Sequence, residues 1–323
     1  MAKITVSNTA YVHTDDVDET GRVNAGPIND AMEECVELAV FSLKRVPLAG
    51  YSEFQARQIA TLLQSMRWTH RAIRRILSFE GEDRGMAVDG LSLARIPVEG
   101  LFSICLMLEG PQWVDCYLRD GWKKQYVRFL LQREETKLLK RFDDFSNRTG
   151  PRNLDLLRQI LGISEAEVAT IYFDEIGTSM PGGMKRATIE QFPTPAGVLA
   201  RIPQGDKNNM LRRLYHEYRW LCSFVHGLSD AMIYKVLVDP KSNLPFEPQL
   251  DLNNGFHRQV REPAYLTSLL SIIQAAAEIA ALFPGNLKLA AELNRAWKEV
   301  STDALLGRAI WALRTKALLG VVP

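Results

Sequence analysis

The sequence predicts a mainly α-helical bundle, and three observations predict it. Apolar residues recur at spacings of three and four through most of the chain. Strand-like alternation is scarce. A hydrophobic content of 46% over 323 residues is enough to bury a substantial core. The first long helix is expected over Asp30 to Lys44, ending before Pro47 and Gly50. A second runs from about Ser52, placed as its N-cap, to Phe79, with Gly81 as its stop. A third covers Asp89 to Leu108 and is apolar nearly all round, which marks a central helix; Pro97 inside it predicts a kink or a displaced start. A fourth, Gln112 to Phe145, is charged along one side and is expected outside.

After Arg148-Thr149-Gly150-Pro151 the texture changes. Short helices are expected over Asn153 to Leu161 and Ser164 to Phe173, the latter opening on a Ser164/Glu167 capping box. The stretch GTSMPGGMKRATIEQFPTPAGVLARIPQGDKNN, rich in Gly and Pro, reads as an irregular insert. Helix resumes over Lys207 to Val238. Pro263 opens the next helix, which stops at Pro284-Gly285, and Leu287 to Leu319 is helical with a candidate break at Ser301 to Asp303. The division expected is 1–50 as an N-terminal extension with one helix, 51–145 and 207–320 as the bundle domain, and 146–206 as the insert.

Lysine and arginine number 39 against 38 aspartates and glutamates, so a net charge of +1 gives no global pull toward nucleic acid or an anionic membrane. Cys35, Cys105, Cys116 and Cys222 form no CxxC pair and lie in or beside apolar segments, which suits buried thiols. The opening MAKITVSNTAYVHTDD lacks the apolar stretch of a secretory signal, and together these features lead to the expectation of a cytoplasmic protein. Residues 266–283 approach the length of a membrane span, but Ser268, Ser271, Gln274 and Glu278 recur along them, so a buried bundle helix is expected and no membrane partner.

Three stretches carry candidate chemistry. In LRRLYHEYRWLCSFVHG, Leu211, Leu214, Tyr218, Leu221, Val225, Leu228 and Met232 make one apolar seam. Arg212, Arg219 and His226 stack seven residues apart in a stripe bordering it, so Arg219 and His226 stand two turns, ~10 Å, apart and could converge on one ligand, with Ser223 one turn before the imidazole. In LARIPVEGLFSICLML, Arg95 and Glu99 lie one turn apart in an apolar helix; burial of either charge alone would cost several kcal/mol, so Glu99 is expected to meet Arg219, His226 or Arg95. In RWTHRAIRRIL, Arg67, Arg71, Arg74 and Arg75 crowd near one face beside Trp68 and His70, a composition that suits phosphate contacts and base stacking. For each stretch the competing reading is a structural polar network that stitches helices together.

Other patterns fail. Gly177 to Gly182 has phosphate-loop spacing without the Lys-Ser/Thr that must follow, and His13, Asp15, Asp16 and Asp18 lie in a polar tail. HExxH, GxSxG and dinucleotide fingerprints are missing from the sequence, so no metal and no cofactor is expected.

The arginine-rich helix, the Arg95-x-x-x-Glu99 pair and the later Tyr218, Cys222 or Ser223, His226-Gly227 helix together resemble an uncharacterised bacterial family of helical proteins that is similar to the HEPN superfamily. The resemblance covers residues 55–145 and 207–235. It implies an all-helical, dimeric ribonuclease whose Arg-x4–6-His motif would be Arg219 and His226, with six residues between them. Trp220 departs from the polar residue usual after the arginine in active members. The implied site is Arg219, His226 and Glu99 as catalytic residues, with Arg95, Arg212, Ser223, Tyr218, Arg71 and Arg75 binding. The implied partners are RNA, a second copy through the 207–238 helix, and a regulator protein in a toxin or defence setting. A helical scaffold that binds a protein partner stands as the alternative.

Overall fold

In the computed structural model, residues 26–78, 89–139, 156, 159, 191–201, 210–225 and 262–303 are described, and every regular element among them is an α-helix. Helix α1, Pro27–Arg45, starts on a proline whose missing N–H falls where no helical bond is needed. Asp30 near its start and Lys44 and Arg45 at its end complement the helix dipole. Gly50, at φ +81°, makes the turn to α2, Glu53–Leu77. There Ser52 is the N-cap as expected: its hydroxyl accepts from the Gln55 N–H at 3.2 Å, while the Gln55 carbonyl oxygen accepts from the Ser52 N–H at 2.9 Å.

Helix α3, Asp89–Leu108, has the bounds the sequence predicts and carries Pro97 inside it, buried, rather than at a displaced start. Helices α4 (Pro111–Leu139), α5 (Pro195–Leu199), α6 (Met210–Val225), α7 (Glu262–Ala280) and α8 (Leu287–Asp303) follow. Pro263 stands at the second position of α7. Helix α5 is an ordered turn within the expected insert, opened by the Thr194 hydroxyl accepting from the Gly197 N–H at 3.4 Å. The expectations for residues 13–18, 79–81, 140–151, most of 153–173, 174–190, 202–209, 226–238 and 304–319 lie outside the described residues.

The chain divides into two units, Met1–Gly110 with Thr194–Pro323, and Pro111–Pro193. In the first, α3 packs against α2, α5, α6 and α7, and α1 packs against α2, α7 and α8. Helix α1 is therefore part of the bundle, not an extension: Met32, Cys35, Val36 and Ala39 give it a continuous buried face. Every residue from Ala264 to Ala276 of α7 is buried, including Thr267, Ser268, Ser271 and Gln274. Helices α3 and α7 are long and apolar enough to cross a membrane, and 83% of the apolar window of α7 is buried within the protein. Gly100 sets the spacing of α2 and α3, because a Cβ there would lie 2.6 Å from Met66 Cγ and 2.7 Å from its sulfur.

In the second unit α4 belongs with Pro111–Pro193 rather than with the bundle where sequence grouped it. Tyr117 meets Phe192 edge-on at 5.0 Å, and the nearly buried Asp120 pairs with Lys124 at 2.8 Å.

Candidate functional site

The α3/α6 junction is built from an amphipathic helix laid on an apolar one. Met210, Leu211, Leu214, Leu221 and Phe224 are the buried residues of α6. Val225, expected in the seam, is 41% exposed, and Phe224 takes its place.

Tyr218 borders this seam, and its hydroxyl donates to Glu99 Oε1 of α3 at 2.9 Å. Glu99 also lies 3.3 Å from Arg95 Nε, one turn earlier on the same helix. Of the partners expected for Glu99, the structure thus gives Arg95, and it adds Tyr218, whose hydroxyl the sequence reading did not use. The pair is partly open: side-chain exposure is 25% for Arg95 and 36% for Glu99. Tyr215 stacks on Tyr218 at 6.0 Å and meets Phe102 edge-on at 6.3 Å, which fixes the phenol under Glu99. Burial pushes the Tyr218 phenol up from its usual range, and its bonds to Cys222 and Glu99 push the same way, so it stays a donor.

Arg219 lies one residue beyond Tyr218, ~100° further round and ~200° from Leu221. It is exposed and makes no ion pair with a described residue. Arg219 therefore faces away from the seam instead of bordering it. Arg212 is half-buried; Arg213 pairs with Glu217 at 3.0 Å; the Ser223 hydroxyl donates to the Trp220 carbonyl at 2.7 Å. His226 follows directly on Val225, the last residue of α6, and lies outside the described residues.

The arginines of α2 go elsewhere. Arg71 Nε and Nη2 donate to Glu33 Oε1 and Oε2 at 2.7 and 2.8 Å, a two-pronged bond to α1. Arg67 reaches Glu37 at 3.3 Å and Glu33 at 3.4 Å. Arg75 is exposed, as is Trp68 at 55%, but Arg74 and His70 are buried. The basic face that reads as one patch in sequence is thus divided into paired, exposed and interior members.

His70 is the residue sequence reasoning misplaced. It is wholly buried, with Nδ1 2.7 Å from the Ser268 hydroxyl of α7 and Nε2 3.2 Å from Asn29 Oδ1 of α1. Both ring nitrogens thus meet a polar partner, and the Ser268 hydroxyl in turn donates to the Tyr265 carbonyl at 2.9 Å. Burial, reinforced by Arg74 and Arg71, holds its pKa down at about 3. A signal was present: Ile59, Leu63, Met66, His70, Ile73 and Leu77 alternate spacings of four and three, which puts the imidazole on the core stripe.

Among the described residues no group of three or more His, Cys, Asp or Glu side chains is arranged to hold a metal ion. Comparison of the chain with family models, curated proteins and solved structures finds no match.

Proposed function

We propose that the protein cleaves RNA without a metal ion, with Arg219 stabilising phosphate and His226 transferring protons. The observation that carries this reading is the setting of Arg219: an exposed guanidinium without an ion-pair partner among the described residues, on a helix held in rotation by the Tyr218–Glu99 bond. The resemblance to HEPN ribonucleases supplies the reaction class. A ribose 2′-hydroxyl gives up its proton to a base, its oxygen forms a bond to phosphorus, and the 5′-oxygen leaves with a proton from an acid. The products are a 2′,3′-cyclic phosphate and a 5′-hydroxyl.

Arg219 would grip two phosphate oxygens as charge develops on them. His226 would serve as one of the proton-transfer groups, and a second copy docked through the 207–238 helix would supply the other. In this scheme Glu99 is a positioning residue that acts through Tyr218. RNA, a second copy and a regulator protein in a toxin or defence setting are the partners proposed.

A scaffold is the second reading, and the pairing of charges favours it. Glu33 and Glu37 of α1 take Arg67 and Arg71 of α2, which ties those two helices together, and Glu99 takes Arg95 within α3, so these groups are paired rather than waiting for phosphate. The two are separated by incubating labelled RNA with wild-type protein and His226→Ala between pH 5 and 9 in the presence of a chelator. The enzyme reading expects cyclic-phosphate ends from wild type and a ~10²–10⁴-fold slower variant. Equal cleavage by both, or none by either, leaves the scaffold.

A further inference from the structure

The junction of α1, α2 and α7 holds a buried cationic side chain, Arg74, with two donors on one edge. Arg74 is 4% exposed, and its Nε and Nη2 find no acceptor among the described residues. Those two donors lie on one edge of the guanidinium and together match the two oxygens of a carboxylate. One turn earlier, Arg71 presents the same two atoms to Glu33 and is bonded at 2.7 and 2.8 Å.

Glu33 does not serve Arg74 as well, because both its oxygens already face Arg71 and one faces Arg67. Around Arg74 the interior is polar: His70, Asn29 and Ser268 are buried and bonded to one another, and Tyr265 of α7 and Glu33 and Asp30 of α1 are electrostatically coupled to the guanidinium. The neutral His70 contributes no countercharge. An arginine stays ionised in such a setting, and a buried cation without a hydrogen-bonded partner is strongly disfavoured.

We propose that the Nε/Nη2 edge of Arg74 binds a small carboxylate anion inside the α1/α2/α7 junction, in the manner in which Arg71 binds Glu33. The anion would bridge the two donors and complete the polar core. This site is separate from the proposed RNA-cleaving residues and does not depend on them.

The test is thermal unfolding of the full chain in sodium formate or sodium chloride at equal ionic strength, for wild type, Arg74→Lys and Arg74→Met. Formate, with two oxygens, is expected to raise the wild-type Tm by several degrees more than chloride. The difference should saturate with concentration and vanish in Arg74→Lys, which keeps the charge but not the fork. In Arg74→Met, which fills the volume without a donor, both salts should act alike. Equal effects of formate and chloride on wild type, or a formate advantage that survives in Arg74→Lys, would overturn the proposal; should Arg74→Met fail to fold, the lysine variant alone decides.

Discussion

Two polar clusters sit among apolar helices, and they differ in wetness. At the α1/α2/α7 junction His70 and Arg74 are buried, and the imidazole is bonded at both nitrogens to helices distant in sequence. At the α3/α6 junction Glu99 keeps 36% of its side-chain surface and shares Arg95 and Tyr218. The first cluster forces a protonation state on its histidine; the second leaves a carboxylate and a guanidinium in contact with solvent. Burial, not residue type, separates the sealed polar core from the pair that faces solvent.

The contrast is sharpened first by acid. The folded protein holds His70 neutral down to about pH 3, whereas the unfolded chain takes up a proton near 6.5. The stability from this group is therefore complete above pH 6.5 and is lost as pH falls toward 3, by up to about 5 kcal/mol. Urea unfolding of wild type should show that decline, and His70→Gln, though less stable at pH 7, should show a flatter one. Parallel declines would mean that the ring is not sealed.

Glu278 of α7 gives the opposite sign. It is 4% exposed, bonded by Gln274 at 2.6 Å, and burial pushes its carboxyl up to about 7. The unfolded chain releases that proton near pH 4.5, so stability falls as pH rises from 4.5 to 7, by about 3 kcal/mol. Glu278→Gln should match wild type at pH 4 and exceed it at pH 8. A constant difference across that range would show a solvated carboxylate.

Smaller effects test the packing that positions the two clusters. Gly100→Ala drives a Cβ against the buried Met66 and should cost about 1–3 kcal/mol in chemical unfolding. Tyr218→Phe removes the bond to the half-open Glu99 and should cost about 0.5–1.5 kcal/mol, with RNA cleavage falling because α6 loses its rotational anchor. A stability loss without any change in cleavage would remove the anchoring role.

Much of this fold is legible in sequence because its determinants are local. Ser52 and Gln55 cap α2 from three residues apart, and α3, apolar nearly all round, marks a central helix. The mainly helical class follows from such signals. Partners were not legible. Glu33 lies 38 residues from Arg71, and Ser268 lies 198 residues from His70, so nothing near α2 says which arginines are paired or what the buried imidazole bonds to, although the core stripe of α2 does mark His70 as interior. The exposure of Arg219 follows from its place ~200° round the helix from the buried Leu221.

The most direct test compares the two histidines in one assay. Labelled RNA is incubated with wild type, His226→Ala and His70→Gln at pH 7.5, and rates are normalised to the folded fraction measured on the same samples. The account predicts that His226→Ala loses ~10²–10⁴-fold, while His70→Gln lowers the folded fraction and leaves the normalised rate unchanged. Cleavage that survives His226→Ala, or that follows His70 instead, would contradict it.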